Sequence, residues 1–146
     1  MIIRRDFVVL PKLEVKMVLT LRPVTAQDFE LFCSLRCETD LTPVKEKDYA
    51  LWFIKVLRRK SDWIAEADGK PVGLISLDRA NWIHIAVLPE HRKKGYGEKM
   101  LNMVPVKGVV WALIPNTNVV ALQLFLKAGY SRYEFSGNYV IMQRKY

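Results

Sequence analysis

The sequence predicts a single α/β domain in which a mixed, mostly antiparallel sheet of about six to seven strands is flanked by helices. Short apolar runs rich in β-branched residues alternate with longer stretches of helical periodicity. Asp68-Gly69 lies between two of the apolar runs, and Asp-Gly is a strong hairpin signal because glycine tolerates the positive φ of the turn. A further apolar run, Trp82–Val87, leads through a basic loop into a helical stretch, as in a mixed sheet that carries helices.

The composition is that of a folded, basic protein. Hydrophobic residues make up 51% and aromatic residues 11% of the 146 residues, which is enough for one substantial core. The net charge of +8 is expected either for a protein that binds an anionic cofactor or for one with a nucleic-acid partner. Most of the basic residues are scattered along the chain, so the nucleic-acid partner is not the favoured alternative.

Neither a membrane span nor an export signal is evident in the sequence. No apolar run approaches the roughly 20 residues that a transmembrane helix needs, and residues 1–6 do not resemble a signal peptide. We therefore expect a cytoplasmic protein without a membrane partner. Cys33 and Cys37 are expected to be reduced thiols on one helix face. No metal site is expected, because His84 and His91 are the only histidines and no ligand pairs stand at metal-binding spacing.

Residues 1–17 are predicted to form an N-terminal extension of a single domain that spans residues 18–146. The domain begins with a strand at residues 18–23, which end in Pro23. The extension contains short apolar pieces broken by Pro11, and we expect it either to cover a sheet edge or to pair with another subunit. The second alternative would make the protein a homodimer.

Two helices are predicted to follow the first strand. The first is capped by Thr25, and its apolar stripe consists of Phe29, Leu31, Phe32 and Leu35. A polar break over residues 36–40 is expected to end it. The second helix begins at Thr42-Pro43 and runs to about Arg59. Its predicted buried side consists of Tyr49, Leu51, Trp52, Ile54 and Leu57.

The rest of the chain alternates between strands and short helices. The Asp68-Gly69 hairpin joins strands predicted at residues 63–67 and 71–77, and the central strand Trp82–Val87 comes next. A short helix over residues 98–103 precedes a fifth strand at residues 108–114. The last helix is capped by Asn118 and closes at Gly129, and its predicted apolar side consists of Val119, Leu122, Phe125 and Leu126. Residues 130–135 and 139–144 are predicted to form a final hairpin.

The loop between the central strand and the short helix is suited to binding a phosphate. Its residues are Arg92-Lys93-Lys94-Gly95-Tyr96-Gly97, which combine three cations with two glycines at a helix N-terminus. The dinucleotide fingerprint does not fit, because Met100 stands where the third glycine belongs. The P-loop does not fit either, since Gly69-Lys70 is followed by Pro71. Taken alone, the six residues are also compatible with a charged surface turn.

The loop matches every fixed position of R/Q-x-x-G-x-G/A, the motif of the GCN5-related N-acetyltransferases. A second motif of that family, N-x-x-A-x-x-x-[Y/F]-x-x-x-G-[F/Y], is similar to Asn118, Ala121, Phe125, Gly129 and Tyr130. Two motifs in the right order on either side of a strand resemble the family over residues 18–146. The resemblance implies an acyl-CoA N-acyltransferase-like fold.

The resemblance also implies that acetyl-coenzyme A binds across two splayed strands. The pyrophosphate would lie on the loop N–H groups, the pantetheine arm would pair with the central strand, and Asn118 would contact the arm from the other side. The implied cofactor-binding residues are Ile85, Ala86, Val87, Arg92, Lys93, Lys94, Gly95, Tyr96, Gly97, Asn118 and Phe125. Phe125 stands where related enzymes often carry a tyrosine that protonates the leaving thiolate.

The implied reaction is the transfer of acetyl to a primary amine by direct attack in a ternary complex. Family members often use Glu or His on the central strand as the base. Alternation counted back from Val87 places Ile83 and Asn81 on the acceptor side and His84 on the other, unless a bulge resets the count. The catalytic candidates are therefore Asn81, which could hold a water, and His84. A lone histidine in a strand is more often a packed residue than a base.

Candidate acceptor contacts are two acids and two tyrosines, namely Glu38, Asp40, Tyr133 and Tyr139. The acids would attract a protonated amine, although solvated loop acids look the same in a sequence. The acceptor class stays open among a protein, a charged tRNA and a small molecule. Two other functions remain alternatives: a module that binds coenzyme A but is weak or inactive in catalysis, and a basic protein associated with RNA or DNA.

Overall fold

The computed structural model describes residues 18–39 and 49–146. The elements in chain order are β1 (Leu19–Pro23), α1 (Phe29–Thr39), α2 (Tyr49–Arg59), β2 (Asp62–Ala67), β3 (Lys70–Leu77), β4 (Ile83–Val87), α3 (Tyr96–Met103), β5 (Val109–Pro115), α4 (Val119–Lys127), β6 (Ser131–Ser136) and β7 (Tyr139–Lys145). The predicted class, an α/β protein with a mostly antiparallel sheet flanked by helices, is confirmed. The predicted N-terminal extension and Asp40 lie outside the described residues.

The strands form two hydrogen-bonded sheets that meet at a single point. Their orders are β1-β2-β3-β4 and β5-β7-β6, and every strand pair within them is antiparallel. Trp82 and Trp111 form a parallel bridge between the sheets, in which the Trp111 N–H donates to the Asn81 carbonyl at 2.8 Å. Past this bridge β4 and β5 are no longer paired in the described part of the chain. A cleft therefore separates them towards their carboxyl ends.

Hydrophobic clusters cover both sides of the sheets. One cluster contains residues of α1, α2, β2 and β3, namely Phe32, Leu35, Phe53, Val56, Ile64 and Leu74. The other joins both sheets to α3 and α4, and its members include Ile83, Met100, Leu101, Val110, Ala112 and Phe125. Ile83, Ile85 and Val87 of β4 belong to or pack against the cluster under α3 and α4, and α1 contacts the same strand. The alternate side chains of β4 therefore face α3 and α4 on one side and α1 on the other.

The Asp68-Gly69 hairpin is confirmed, and both turn residues have positive φ, 52° and 79°. Other local expectations were wrong. The first helix continues to Thr39 through the predicted polar break, because polar residues without Pro or Gly do not stop a helix.

The predicted buried sides of two helices also need correction. Within residues 50–59 of α2 the buried residues are Phe53 and Val56, and the predicted Trp52 and Leu57 are partly buried against the same cluster. Leu51 is 66% and Ile54 45% exposed, so their prediction as buried residues was wrong. In α4 Phe125 is buried, but Val119 is 58% and Leu126 45% exposed. Both helices carry more apolar residues than their sheets can cover, so the docking geometry decides which of them are buried.

Candidate active site

The cleft between β4 and β5 has a volume of about 180 Å³. Its lining residues come from both strands and from the start of α4, and they are Ile83, His84, Ile85, Ala112, Leu113, Ile114, Pro115, Asn118, Ala121 and Phe125. Most of this lining is apolar, so its specific polar contacts must come from the main chain and from a small number of side chains.

The main chain of β4 presents hydrogen-bonding groups to the cleft. The Leu88 N–H donates to the Val72 carbonyl at 2.8 Å, and the Asp78 N–H donates to the Trp82 carbonyl at 3.1 Å. These two bonds fix which residues of β4 bond to β3, because bonded and non-bonded pairs alternate in an antiparallel ladder. The residues whose N–H and C=O groups face the cleft instead are Ile83, Ile85 and Val87.

The edge of β5 has the same property. Gly108 and Tyr146 exchange two main-chain hydrogen bonds, of 3.2 and 2.8 Å, which sets the alternation along the β5–β7 ladder. By that alternation Trp111 and Leu113 direct their main-chain groups away from β7. Trp111 uses its N–H at the bridge to Asn81, and Leu113 faces the cleft. An extended ligand can therefore hydrogen-bond to both strands.

A basic loop lies at the open end of β4 and leads into α3. Lys93 and Gly95 both have positive φ, 64° and 80°, so the backbone curls at this point. The first helical bond runs from the Lys99 N–H to the Gly95 carbonyl at 3.3 Å. The N–H groups before it have no intrahelical acceptor, and they belong to Tyr96, Gly97 and Glu98. Together with the exposed side chains of Arg92, Lys93 and Lys94, they form a site for a phosphate.

The two glycines of the loop have different roles. A Cβ added to Gly95 would meet no atom within 4 Å, so Gly95 serves the left-handed backbone. A Cβ added to Gly97 would lie 3.0 Å from Leu124 of α4. Gly97 therefore allows α3 and α4 to pack closely.

The predicted cofactor residues differ in which groups they can offer. Tyr96 has a buried side chain, at 3% exposure, and can act only through its main chain. Ala86 is also buried, at 7% exposure, and the alternation directs its main-chain groups to β3, so the prediction of Ala86 as a cofactor contact is not supported. Ile85 and Val87 are partly buried and pack against the cluster under α3 and α4. Arg92 donates from Nε to the Val87 carbonyl at 3.0 Å, which ties the loop to the end of β4.

Asn118 stands at the other rim of the cleft, where it caps α4. Its Oδ1 accepts the Ala121 N–H at 3.1 Å, as an N-cap side chain does. The side chain is exposed and lines the cleft. Since the cap uses the oxygen, the amide NH2 is the group that can donate to a ligand.

Phe125 closes the cleft from the α4 side and has no hydroxyl group that could protonate a thiolate. Tyr130, the tyrosine in contact with it, cannot supply that proton in its place. The Phe125 and Tyr130 rings meet edge to face at 4.9 Å. Tyr146 donates its proton to the Leu101 carbonyl at 2.8 Å, so Tyr130 must donate its own proton to the Tyr146 oxygen, also at 2.8 Å. Burial raises the pKa of both tyrosines. Both protons are therefore held within this network.

The two catalytic candidates lie in different places. Ile83 is 4% exposed and faces α3 and α4, while His84 lies on the opposite face and pairs across the ladder with Ser76. The alternation between these neighbours agrees with the prediction, but the prediction gave the acceptor the side of Ile83, and that side is packed against α3 and α4. Asn81, however, precedes the strand and has φ 65° in an exposed turn, so strand alternation does not apply to it. His84 also lines the cleft with 24% of its side chain exposed.

Of the predicted acceptor contacts, the two tyrosines are exposed residues of the last hairpin. Tyr133 on β6 is 57% exposed and meets Trp111 edge to face at 4.9 Å, and Tyr139 on β7 is 40% exposed. Glu38 belongs to α1, and Asp40 falls outside the described residues. Sequence reasoning missed Asp78, whose Oδ2 lies 3.8 Å from Nε2 of His84. Only the tight turn before β4 brings them together, and the Asp78–Asn81 turn was the signal for it.

No group of three or more His, Cys, Asp or Glu side chains in residues 18–39 and 49–146 is placed to hold a metal ion. Within the same residues, no helix is long and apolar enough to cross a membrane.

A sheet splayed between two parallel strands, with a phosphate loop at the open end, defines an acyltransferase fold that holds a phosphate-bearing cofactor. Residues 59–132 match the family described as "Acetyltransferase (GNAT) domain". The chain belongs to this family, and it is an N-acetyltransferase that uses acetyl-coenzyme A. No curated protein sequence matches the chain.

Solved structures with low sequence identity share the fold. A GNAT-family acetyltransferase from Bacillus cereus is 15% identical with a TM-score of 0.69, covering 88% of this chain and 97% of its own. A spermidine N-acetyltransferase mutant from Vibrio cholerae is 15% identical with a TM-score of 0.70, covering 87% and 93%. The PaiA N-acetyltransferase from Thermoplasma acidophilum, in complex with coenzyme A, is 20% identical with a TM-score of 0.64, covering 89% and 100%.

Proposed function

We propose that this protein transfers the acetyl group of acetyl-coenzyme A to a primary amine by direct attack in a ternary complex. The observation that carries the proposal is the cleft, whose two edges present main-chain hydrogen-bonding groups and whose open end carries a phosphate loop. A pantetheine arm has amides spaced along an extended chain, and such a chain binds an open strand edge as an added strand does.

The cofactor would lie with its pyrophosphate on the N–H groups at the start of α3. The lysines and Arg92 of the loop add positive charge there, and the overall charge of +8 favours an anionic ligand. The pantetheine amides would pair with Ile85 and Val87 from one side, and the Asn118 amide would donate from the other. The thioester would then lie deep in the cleft, near His84 and Phe125, which both line it.

The chemistry requires a proton acceptor, a stabilised oxyanion and a leaving thiolate. His84 takes a proton from the protonated amine, and the neutral nitrogen then forms a bond to the thioester carbon and loses its second proton to solvent. A main-chain N–H of β4 that faces the cleft, such as that of Ile85, would donate to the oxyanion. The C–S bond then breaks and coenzyme A leaves as a thiolate, which solvent protonates, because Phe125 has no proton to give.

The acceptor belongs to one of several amine classes. The neighbour from Vibrio cholerae is named for spermidine, which makes a small polyamine one candidate. Protein lysine, a protein N-terminus, charged tRNA and other small amines are the remaining candidates. A cytoplasmic location and a dimer formed through residues 1–17 stay predictions.

The direct test measures thiol release from acetyl-coenzyme A in the presence of these acceptors one at a time. We expect at least one amine to raise thiol release well above the rate with water alone, with an acetylated product of matching mass. Calorimetry with coenzyme A provides the binding control. If no acceptor in the panel reacts and no lysate protein becomes acetylated, the proposal of amine acetylation is overturned.

A second candidate is a module that binds coenzyme A without efficient catalysis. The observation that favours it is the absence of a hydroxyl at Phe125 together with the commitment of Tyr130 to Tyr146. Tight binding of coenzyme A with no turnover by any amine would support this candidate. Turnover with any amine that depends on His84 would exclude it.

A further inference from the structure

The carboxylate of Asp78 is held rigidly beside the cleft. Its Oδ1 accepts the N–H groups of Ala80 at 2.9 Å and Trp82 at 3.0 Å, so one oxygen closes the turn that leads into β4. The Asp78 N–H also donates to the Trp82 carbonyl at 3.1 Å. With the first oxygen used in this way, Oδ2 is the oxygen that faces His84, and 37% of the side chain is exposed.

The distance between Asp78 and His84 suits a shared donor. Oδ2 lies 3.8 Å from Nε2, which is too long for a direct hydrogen bond. A single donor nitrogen about 2.9 Å from each atom can bond to both of them. Nδ1 of His84 is buried, so Nε2 is the ring nitrogen that we assign to an incoming amine. An alkylammonium group carries three N–H donors on one nitrogen and can direct two of them at this pair.

The charges around the pair favour a cation at this position. Ser76, directly opposite His84 on β3, donates its proton to Asp62 at 2.6 Å. The charge of Asp62 is already balanced by a bidentate contact from Arg59, at 2.7 and 2.8 Å. Among the described residues, no Lys or Arg makes such a contact with Asp78. No residue that lines the cleft in this part of the chain is a carboxylate, so Asp78 is the nearby source of negative charge.

We propose that Asp78 Oδ2 and His84 Nε2 together form the binding site for the ammonium group of the acceptor, an inference that rests on the proposed function. A primary amine has a pKa near that of lysine, about 10.4, and arrives protonated at neutral pH. Asp78 holds the ammonium through one N–H, and His84 accepts the proton of a second N–H. The neutral amine then attacks the thioester carbon, the C–S bond breaks, and the second proton that the nitrogen must lose passes through solvent to the coenzyme A thiolate.

The test uses n-butylammonium as a probe and the two histidines as reporters. The chain contains only His84 and His91, so each imidazole can be followed separately by NMR. With coenzyme A bound, titration with n-butylammonium should give a saturable shift of the His84 signals and little change at His91. Asp78→Asn should weaken this binding about tenfold or more, because it removes the charge and keeps an oxygen for the turn. n-Butanol, which lacks the charge, should not produce the shift.

Asp68→Asn is the matched control. Asp68 is also an exposed turn aspartate, but it lies in the β2–β3 hairpin, and its loss changes the net charge by the same amount. We expect n-butylammonium to bind this variant as it binds the wild type. If Asp78→Asn fails to fold, Asp78→Ser supplies a short side-chain acceptor to the turn and tests the same charge.

The outcomes separate this inference from the proposed function. A His84 signal that does not respond to n-butylammonium, or an equal affinity in the Asp78 and Asp68 variants, overturns the ammonium site even if acetyl transfer is found. A saturable response that Asp78→Asn weakens supports the site even if the acceptors of the panel are not acetylated. In an active enzyme, Asp78→Asn should raise the KM for the amine and leave the KM for acetyl-coenzyme A unchanged.

Discussion

The two ends of the active-site cleft are built differently. The end that we propose for the cofactor consists mainly of main-chain groups, namely the strand edges at Ile85 and Leu113 and the N–H groups at the start of α3. The end that we propose for the acceptor consists of side chains, namely His84 on the face of β4 away from α3 and α4, and Asp78 in the turn before β4. The main-chain N–H and C=O groups are the same in every residue type except proline, which has no N–H, whereas side chains differ from one residue type to another. We therefore propose that cofactor binding depends on the backbone conformation, and that a few side chains determine which acceptor is bound.

The largest expected effect on activity is that of a substitution of His84, at the proposed acceptor end. His84→Gln should lower kcat about 10²–10⁴-fold, because it removes the proton acceptor and keeps a polar side chain of similar size. The Kd for coenzyme A, measured by calorimetry, should stay at the wild-type value. His91→Gln is the matched control and should leave kcat close to wild type. Equal losses in both variants would show that His84 has no particular role in catalysis.

The next effect is expected at Gly95 and concerns cofactor affinity. Gly95→Val places a β-branched residue at φ 80°, which costs roughly 1–2 kcal/mol or shifts the loop. We expect the Kd for coenzyme A to rise about 5-fold to 30-fold, while kcat at saturating cofactor changes little.

Gly97→Ala is the comparison variant for Gly95. The added Cβ would press on Leu124, so this variant should lose thermal stability, by about 1–3 kcal/mol, more than cofactor affinity. If the two glycine variants behave in the reverse way, the loop does not bind the cofactor through its backbone as we propose.

A smaller effect on kcat is expected at Phe125, whose side chain lines the cleft. Phe125→Tyr should raise kcat several-fold, at the low end of general-acid catalysis, because a thiolate with a pKa of about 8.5 leaves fairly well unaided. The affinity for coenzyme A should be nearly unchanged in the calorimeter. An unchanged or lower kcat with intact binding would mean that another source supplies the proton or that chemistry is not limiting.

The smallest effect at neutral pH is expected behind the cofactor end, at Tyr130. Burial raises its pKa in the folded state, so the folded protein keeps the proton more firmly than the unfolded chain. The associated stability is fully present below the ordinary tyrosine pKa of about 10 and declines as the pH rises above it. Urea unfolding should therefore show the gap between wild type and Tyr130→Phe narrowing above about pH 10, by at most 1.4 kcal/mol per pH unit. A constant gap up to pH 11 would contradict the raised pKa.

Some elements were predictable because their signals are local. The Asp68-Gly69 turn needs positive φ at both residues. Asn118 caps α4 by accepting the N–H of Ala121, three residues further along the chain. The buried sides of α2 and α4 were not predictable in the same way. Leu51 and Phe53 are both apolar and only two residues apart, and the position of the helix on the sheet decided which of them is buried.

The sequence by itself determined the fold family, the phosphate loop and the strand that carries His84, because each depends on residue types at fixed short spacings. The tertiary structure decided three further points. It packed Gly97 of α3 against Leu124 of α4, and it joined Tyr130 to Tyr146 by a hydrogen bond. It also brought Oδ2 of Asp78 to within 3.8 Å of Nε2 of His84. Each of these contacts depends on how two elements pack or where a strand begins. The acceptor end is made of such contacts, so its geometry became visible only in the folded chain.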